Sequence, residues 1–206
     1  MRLRHRDREP RVHPDAYVAP TATLIGDVEV AAHARVLSGA VLDAEGAQVT
    51  VGEYSIIGEH AVLRASAVAG PQPVEVGDHV LVGPHATLLG CVVGRASYLA
   101  TGCTVLQTAR LGEGTTVAVG ALVHARTETP AEYFVPPFVV ALGDPVRLLA
   151  PGDPELPGAI REVGFAQAAF GTTGPWSDRI RRTVHATETR STELAAHRDD
   201  VVLPEH

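Results

Sequence analysis

A six-residue repeat of large aliphatic residues runs through most of this chain. A small or β-branched residue stands two positions before each repeated residue, and glycine often follows directly. A period of six fits neither an α-helix nor a meander of β-hairpins with a turn about every 8–12 residues. In its most regular part, which contains one shorter step, the repeat reads Val76, Val82, Leu88, Val93, Leu99, Val105, Leu111, Val117 and Val123.

This pattern predicts an all-β fold, a left-handed parallel β-helix built from hexapeptides. Three hexads make one triangular coil, with the aliphatic residue and its small partner pointing inward. The repeat begins near Val18 and slips at residues 43–48 and 64–73, and we expect the second slip to leave the coil as a loop. We therefore predict three parts: a loose N-terminal arm over residues 1–11, the β-helix over 12–150 and a C-terminal helical tail over 151–206.

Within the tail, apolar spacing over residues 154–170 indicates one short helix. Ser177 is predicted to cap a longer helix that extends to about Arg198. A basic cluster in this helix is expected to form a solvated or inter-subunit face: Arg179, Arg181 and Arg182.

Composition restricts the partners of such a chain. Aromatic residues make up 4% of it, which suits a narrow β-helix interior. The net charge is −7 without a basic run beyond the first dozen residues, so nucleic acid is not an expected partner.

Cys91 and Cys103 occupy small inward positions and are predicted to be reduced core thiols. The first eleven residues lack the apolar segment of a signal peptide, and no apolar run is long enough to cross a membrane, so we expect a cytoplasmic protein without a membrane partner.

The stretch over residues 76–94 reads VGDHVLVGPHATLLGCVVG. It resembles the pattern IGxxVTVGHxxxLHGCxIG of the gamma-class carbonic anhydrases. The order of repeat, loop, repeat, Gly-x-Pro turn and C-terminal helix extends the likeness to roughly residues 14–170. The resemblance implies a homotrimer with a zinc ion held between subunits by three histidines.

The three zinc ligands implied by this resemblance fall on Arg64, Pro84 and Leu89. Proline and leucine side chains have no donor atom, and arginine stays protonated. We therefore expect no metal at this place and no other cofactor, and without a metal-bound water the hydration of carbon dioxide loses its nucleophile. The supporting polar residues of the family are changed as well, although acidic residues remain at Glu45 and Glu59.

The leading hypothesis is a metal-free site in the cleft between subunits, which binds a small carboxylate or acyl compound. Arg64 would clamp the anion, and Glu59 and His85 would transfer protons. The remaining predicted site residues would contact the substrate or line the cleft: Glu45, Pro84 and Leu89. A competing interpretation makes Arg64 a structural ion pair with Glu45 or Glu59 across the interface.

Three alternatives stay open. An acyl-CoA-dependent acyltransferase of the hexapeptide class would use His124 as its base. A relocated metal site could use His60 and His85, which are expected to stack within about 5 Å, with Glu59 or a histidine of another subunit. A non-catalytic trimeric scaffold is the third. The trimer itself is expected because a lone coil would leave the apolar part of the loop over residues 67–69 partly bare.

Overall fold

The computed structural model, which describes residues 1–173, 175 and 177–204, is a left-handed parallel β-helix followed by a helical tail. Its short strands form three sheets, one for each side of a triangular prism. The ten-stranded sheet contains, in spatial order, Arg147–Leu149, Val140–Leu142, Leu122–Val123, Thr104–Val105, Thr87–Leu89, Val62–Arg64, Val41–Asp43, Thr23–Ile25, Arg2–Arg4 and Val201–Val202.

The other two sides are seven-stranded sheets. The first of them contains Arg11–Val12, Val28–Val30, Val49–Val51, Val74–Val76, Val92–Val93, Arg110–Leu111 and Glu128–Thr129. The second contains Tyr17–Val18, Arg35–Val36, Ile56–Ile57, Leu81–Val82, Tyr98–Leu99, Thr116–Val117 and Phe134–Val135.

The inward aliphatic residues stack in register from coil to coil, as the six-residue repeat predicts. In the ten-stranded sheet, Leu42, Leu63 and Leu88 are paired directly and are fully buried. Cys91 and Cys103 are buried and free, which confirms that they are core thiols without a disulfide. Burial raises the pKa of both thiols, that of Cys103 to about 12, so neither forms a thiolate near neutral pH.

Several corner residues have a left-handed backbone, and histidine recurs at this position. It occurs at His33, His60, His79 and His85, with φ between 56° and 61°. Histidine, like Asn and Asp, adopts this conformation more readily than most residues. The recurrence of histidine three residues after an inward residue therefore has a conformational explanation that needs no ligand.

In the part of the tail that the structure describes there are three α-helices: α1 (Leu156–Val163), α2 (Phe165–Phe170) and α3 (Arg179–Leu194). The single short helix predicted over residues 154–170 is wrong, because Gly164 has φ of 66° and separates α1 from α2. The predicted cap Ser177 is also wrong: Asp178 caps α3 by accepting a hydrogen bond from the backbone N–H of Arg181. A 3₁₀ turn over Ala195–Asp199 follows α3 and leads to the strand Val201–Val202.

The prediction of a loose N-terminal arm is wrong for residues 2–4, because they form a strand of the ten-stranded sheet. Arg2–Arg4 pairs in parallel with Thr23–Ile25 and antiparallel with Val201–Val202. The charged composition of residues 1–11 concealed this strand, because the backbone supplies the hydrogen bonds of a sheet whatever the side chains are. The division of the chain into three parts otherwise stays a prediction.

Among residues 1–173, 175 and 177–204, none of the helices combines the length and the apolar character that a membrane crossing requires.

Candidate functional site

Arg64 ends a strand of the ten-stranded sheet, beside Leu89 on one neighbouring strand and Asp43 on the other. Its Nε atom lies 3.3 Å from Asp43 Oδ2 and 3.7 Å from Glu45 Oε1. The side chains of both acids are almost fully buried, whereas the Arg64 side chain is 40% exposed. The ion pair of Arg64 with Glu45 therefore forms within one chain, not across an interface as the competing interpretation had it.

Helix α3 supplies a second cation to the same acids. Both Nη atoms of Arg190 donate to the two carboxylate oxygens of Glu45, each at 2.8 Å, and Arg190 Nη1 is also 2.5 Å from Glu193 Oε2. The hydrogen bond to Glu45 is the main reason why the pKa of Arg190 is raised. This bidentate pair fixes α3 against the slip at residues 43–48.

The tail also covers the loop over residues 64–73. The side-chain amide of Gln72 donates to the carbonyl of Ala168 at 2.6 Å, and the backbone N–H of Ala67 donates to Glu193 Oε1 at 3.3 Å. Ala67 and Val68 are half-buried as a result, whereas Ala69 is exposed. The tail of the same chain covers Ala67 and Val68 only in part, so the loop is partly bare as expected, and its closure by another subunit stays a prediction.

The other three predicted site residues lie at the opposite edge of the ten-stranded sheet. Glu59, Pro84 and His85 occupy the corners that lead into its strands, one coil apart. The backbone N–H of His85 donates to the carbonyl of Glu59 at 2.9 Å, and both side chains are exposed. Glycine is required at position 58, directly before Glu59, because a Cβ there would lie 2.7 Å from the backbone of Pro84.

The six predicted residues thus form two groups within one chain. Arg64, Glu45 and Leu89 lie where strands leave the ten-stranded sheet, and the other three lie where strands enter it. A single chain does not bring the two groups together. A site that uses both groups requires a second copy of the chain.

The donor chemistry at the positions of the family's zinc ligands does not fit zinc. Arg64 is a guanidinium already paired with two carboxylates, and Pro84 and Leu89 have no donor atom in their side chains. No reaction step at this place is therefore assigned to a metal ion.

The predicted stacking of His60 on His85 is confirmed. Their ring centroids are 5.3 Å apart and their planes differ by 10°. Within the described part of the chain, however, neither histidine belongs to a group of three close potential ligands. The nearby Glu59 does not complete such a group.

His124 lies on the outer face of the ten-stranded sheet and is 4% exposed. Phe165 of α2 contacts it edge-on at 5.5 Å, and its Nδ1 atom is buried without a hydrogen-bond partner among the described residues. Burial lowers the pKa of His124, so the imidazole is neutral near pH 7.

A cavity of about 430 Å³ lies between the tail helices. Phe165 lines it, so this ring separates the cavity from His124. In the basic cluster of α3, Arg179 and Arg181 are exposed, as predicted. Arg179 also lines this cavity, together with Arg182. The rest of its lining consists of four apolar residues, three threonines and Arg190; the apolar ones are Ile160, Ala166, Phe170 and Ala186.

The sequence reasoning missed the polar residues of the tail. Arg190, Glu193 and His197 follow one another at spacings of three and four, which places them on one side of the helical segment. A signal was present at the slip over residues 43–48, where Asp43 and Glu45 interrupt an otherwise apolar repeat. Because acidic side chains are seldom buried without a partner, these two residues could have indicated a cation from a distant part of the chain.

Comparison with known proteins agrees with this architecture. The chain is 33% identical to the mitochondrial gamma carbonic anhydrase 1 of Arabidopsis thaliana over 128 residues, which is 61% of this chain and 46% of that protein. It is 30% identical to the carnitine operon protein CaiE of Salmonella agona (strain SL483) over 140 residues, 68% of this chain and 66% of that protein. The chain is a hexapeptide-repeat protein that is similar to the gamma carbonic anhydrases.

The matched region of this gamma-carbonic-anhydrase-like protein spans about half the length of the plant relatives. Among solved structures, a hexapeptide transferase family protein from Anaplasma phagocytophilum has a TM-score of 0.55 at 19% identity, covering 92% of this chain and 94% of that one. This likeness shows the fold alone. No protein-family model matches the chain.

Proposed function

We propose that the protein is a homotrimer that binds a small carboxylate or acyl compound at Arg64, between subunits and without zinc. The observation that carries this proposal is the state of Arg64: its buried Nε lies within ion-pair distance of two buried carboxylates, while 40% of its side chain stays accessible. A guanidinium oriented in this way can bind a carboxylate with its remaining nitrogens. Leu89 on the next strand would give the site an apolar wall.

An exposed apolar row supports the trimer. The outward residues of the second seven-stranded sheet pair in register across neighbouring coils, and most of them are large and apolar. Large exposed side chains on one sheet face indicate a protein interface. The row contains Tyr17, Ile56, Leu81, Tyr98 and Phe134, which are between 37% and 55% exposed.

In such a trimer, the edge with Glu59, Pro84 and His85 of one copy would face the edge with Arg64 of the next. Glu59 and His85 would then transfer protons to and from a substrate held by Arg64. Glu45 would act indirectly, since both its oxygens already bind Arg190. The cytoplasmic location stays a prediction.

Arg64→Leu is expected to weaken carboxylate binding by about 10–100-fold, because it removes a charge-assisted contact worth about 1.5–3 kcal/mol. Binding is measured by thermal shift and calorimetry with acetate, malonate and benzoate. Light scattering should give three times the chain mass of 21.6 kDa for both proteins. Arg95→Leu, at an exposed ion pair with Glu113, is the matched control and should bind as the wild type does.

Two results would contradict the proposal. One is a wild-type melting temperature that none of the carboxylates raises, since a ligand of the folded state must raise it. The other is unchanged binding in Arg64→Leu together with loss of the trimer, which would assign Arg64 a structural role.

A second candidate function, acyl-CoA-dependent acyl transfer, is favoured by His124. A neutral buried imidazole can act as a general base. A cavity on the other side of Phe165 combines apolar walls with Arg179 and Arg182, which suits an acyl chain attached to phosphates.

If this second function is correct, His124→Gln should lower the rate of thiol release from acetyl-CoA by about 10²–10⁴-fold in the presence of amine acceptors. His60→Gln, which changes an exposed histidine, should leave the rate unchanged. Absence of thiol release from the wild-type protein with every acceptor would exclude this candidate.

A further inference from the structure

Strands Arg2–Arg4 and Val201–Val202 pair with each other, and this pairing brings the side chains of His5 and Asp200 together. Leu3 pairs with Val202 and Arg4 with Val201, in an antiparallel register. The next positions along this register are His5 and Asp200. His5 Nδ1 accordingly lies 2.5 Å from Asp200 Oδ1.

The 3₁₀ turn adds a second imidazole. His197 Nδ1 lies 2.9 Å from Asp200 Oδ2, and the rings of His197 and His5 stack with centroids 4.3 Å apart. One donor atom from each of these three residues lies within 4.8 Å of the donor atoms of the other two. Two imidazole nitrogens and a carboxylate thus converge on one small volume.

We propose that His5, His197 and Asp200 form a binding site for a divalent transition-metal ion such as Zn²⁺, which fastens the C-terminal segment to the first strand. Two histidines and one carboxylate are a ligand set that binds Zn²⁺ and leaves a further coordination position. The ligand set differs from the family's zinc-ligand positions at Arg64, Pro84 and Leu89, although Asp43, which pairs with Arg64, lies between the two places.

Asp43 stands where an outer carboxylate of such a site is expected. Its Oδ2 lies 3.9 Å from Nε2 of His197, the ring nitrogen that does not face Asp200. Metal-bound histidines commonly donate their second N–H to a carboxylate, which fixes the ring and its tautomer. A small movement of the His197 ring would complete that hydrogen bond.

The charge of the surroundings favours a dication. The ion pairs around His197 and Arg190 connect four carboxylates with two guanidinium groups, so the acidic groups outnumber the guanidinium groups that pair with them. The cluster consists of the acids Asp43, Glu45, Glu193 and Asp200 and the bases Arg64 and Arg190. Buried charge of one sign is costly unless a counter-charge reaches it.

Packing alone does not account for His5. It is 2% exposed, and its Nε2 atom is buried without a hydrogen-bond partner among the described residues. An apolar side chain would fill this place without that desolvation cost of about 1–3 kcal/mol. The polar contact that His5 does make is the one with Asp200, at the proposed site.

The test uses the full chain without an affinity tag, stripped with EDTA and titrated with Zn²⁺. We expect one bound ion per chain, and a rise of the melting temperature of roughly 5–10 °C at a hundredfold excess over Kd. The double variant His5→Gln, His197→Gln should lose this ion. Asp200→Asn should weaken binding at least tenfold, since even carboxylates outside the ligand shell contribute about 10–100-fold.

The control is His60→Gln combined with His85→Gln, which removes the same number of imidazoles from an exposed stacked pair. It should bind Zn²⁺ as the wild type does. The inference is wrong if the wild-type protein binds no Zn²⁺ at micromolar concentration, or if the control loses the ion while the His5 and His197 variant keeps it. Neither result would bear on carboxylate binding at Arg64, which is measured in metal-free protein.

Discussion

Leu88→Ala is expected to lower the free energy of unfolding by about 3 kcal/mol. Leu88 is fully buried and stacks directly between Leu63 and Val105 in the ten-stranded sheet. Its coil is hydrogen-bonded on both sides to neighbouring coils, so the backbone cannot move inward to fill the space that the lost methyl groups leave. The cost therefore includes the cavity as well as the lost hydrophobic transfer.

The measurement is urea unfolding at a fixed chain concentration, because assembly makes apparent stability depend on concentration. Leu148→Ala makes the same chemical change at a side chain that is 39% exposed, and it should cost about 0.5 kcal/mol or less. Equal losses of stability in the two variants would contradict this prediction, because they would mean that the coils move inward and close the cavity at position 88.

The repeat made the coil predictable because each inward position has to be filled by an aliphatic side chain of restricted size. A shift of one residue would have placed Leu63 and Leu88 on the outer face, so the register follows from the pattern alone. The corner histidines were visible in the sequence as well. Their left-handed backbone, at His60 and His85 for example, supplies the physical reason for the pattern.

The candidate site was predictable only in part. The resemblance selected Arg64 and Leu89, which prove to be neighbours on adjacent strands. It could not show that Asp43 and Glu45 already engage Arg64, because the slip at residues 43–48 has no periodicity from which to place side chains. The contact of Glu45 with Arg190 joins residues 145 positions apart, and no local pattern specifies such a pair.

The position of the tail on the coil was less predictable from the sequence than the candidate site. A polar helix such as α3, which has no buried side chain, can lie on its own coil or on a neighbouring subunit, and its sequence is the same in either case. What decides between them is the match of Arg190 and His197 with acids on the coil, together with the pairing of Val201–Val202 with Arg2–Arg4. These are contacts between distant segments.

Arg190→Ala should release the tail from the coil. The substitution leaves Glu45 buried with Arg64 as its remaining cation at 3.7 Å, and removing one partner of a buried ion pair costs about 3–5 kcal/mol. We expect the lower end of this range, since Glu45 regains water when the tail detaches. A loss of about 3 kcal/mol corresponds to a rise of about 100-fold in the detached population.

Native-state proteolysis and amide hydrogen exchange measure this population directly, because both act on locally opened chains. Cleavage by subtilisin should move to residues 171–204 and accelerate about 100-fold, while the coil keeps its exchange protection. Arg147→Ala is the matched control, since its pair with Glu162 is exposed on both sides and worth about 0.5 kcal/mol. Equal cleavage of the two variants would mean that other contacts of the tail, such as the hydrogen bond of Gln72 to Ala168, hold it and that the Arg190 pair contributes little. Faster cleavage confined to the Arg190 variant would instead establish that one buried ion pair keeps the tail over Asp43 and Glu45, the two acids beside Arg64.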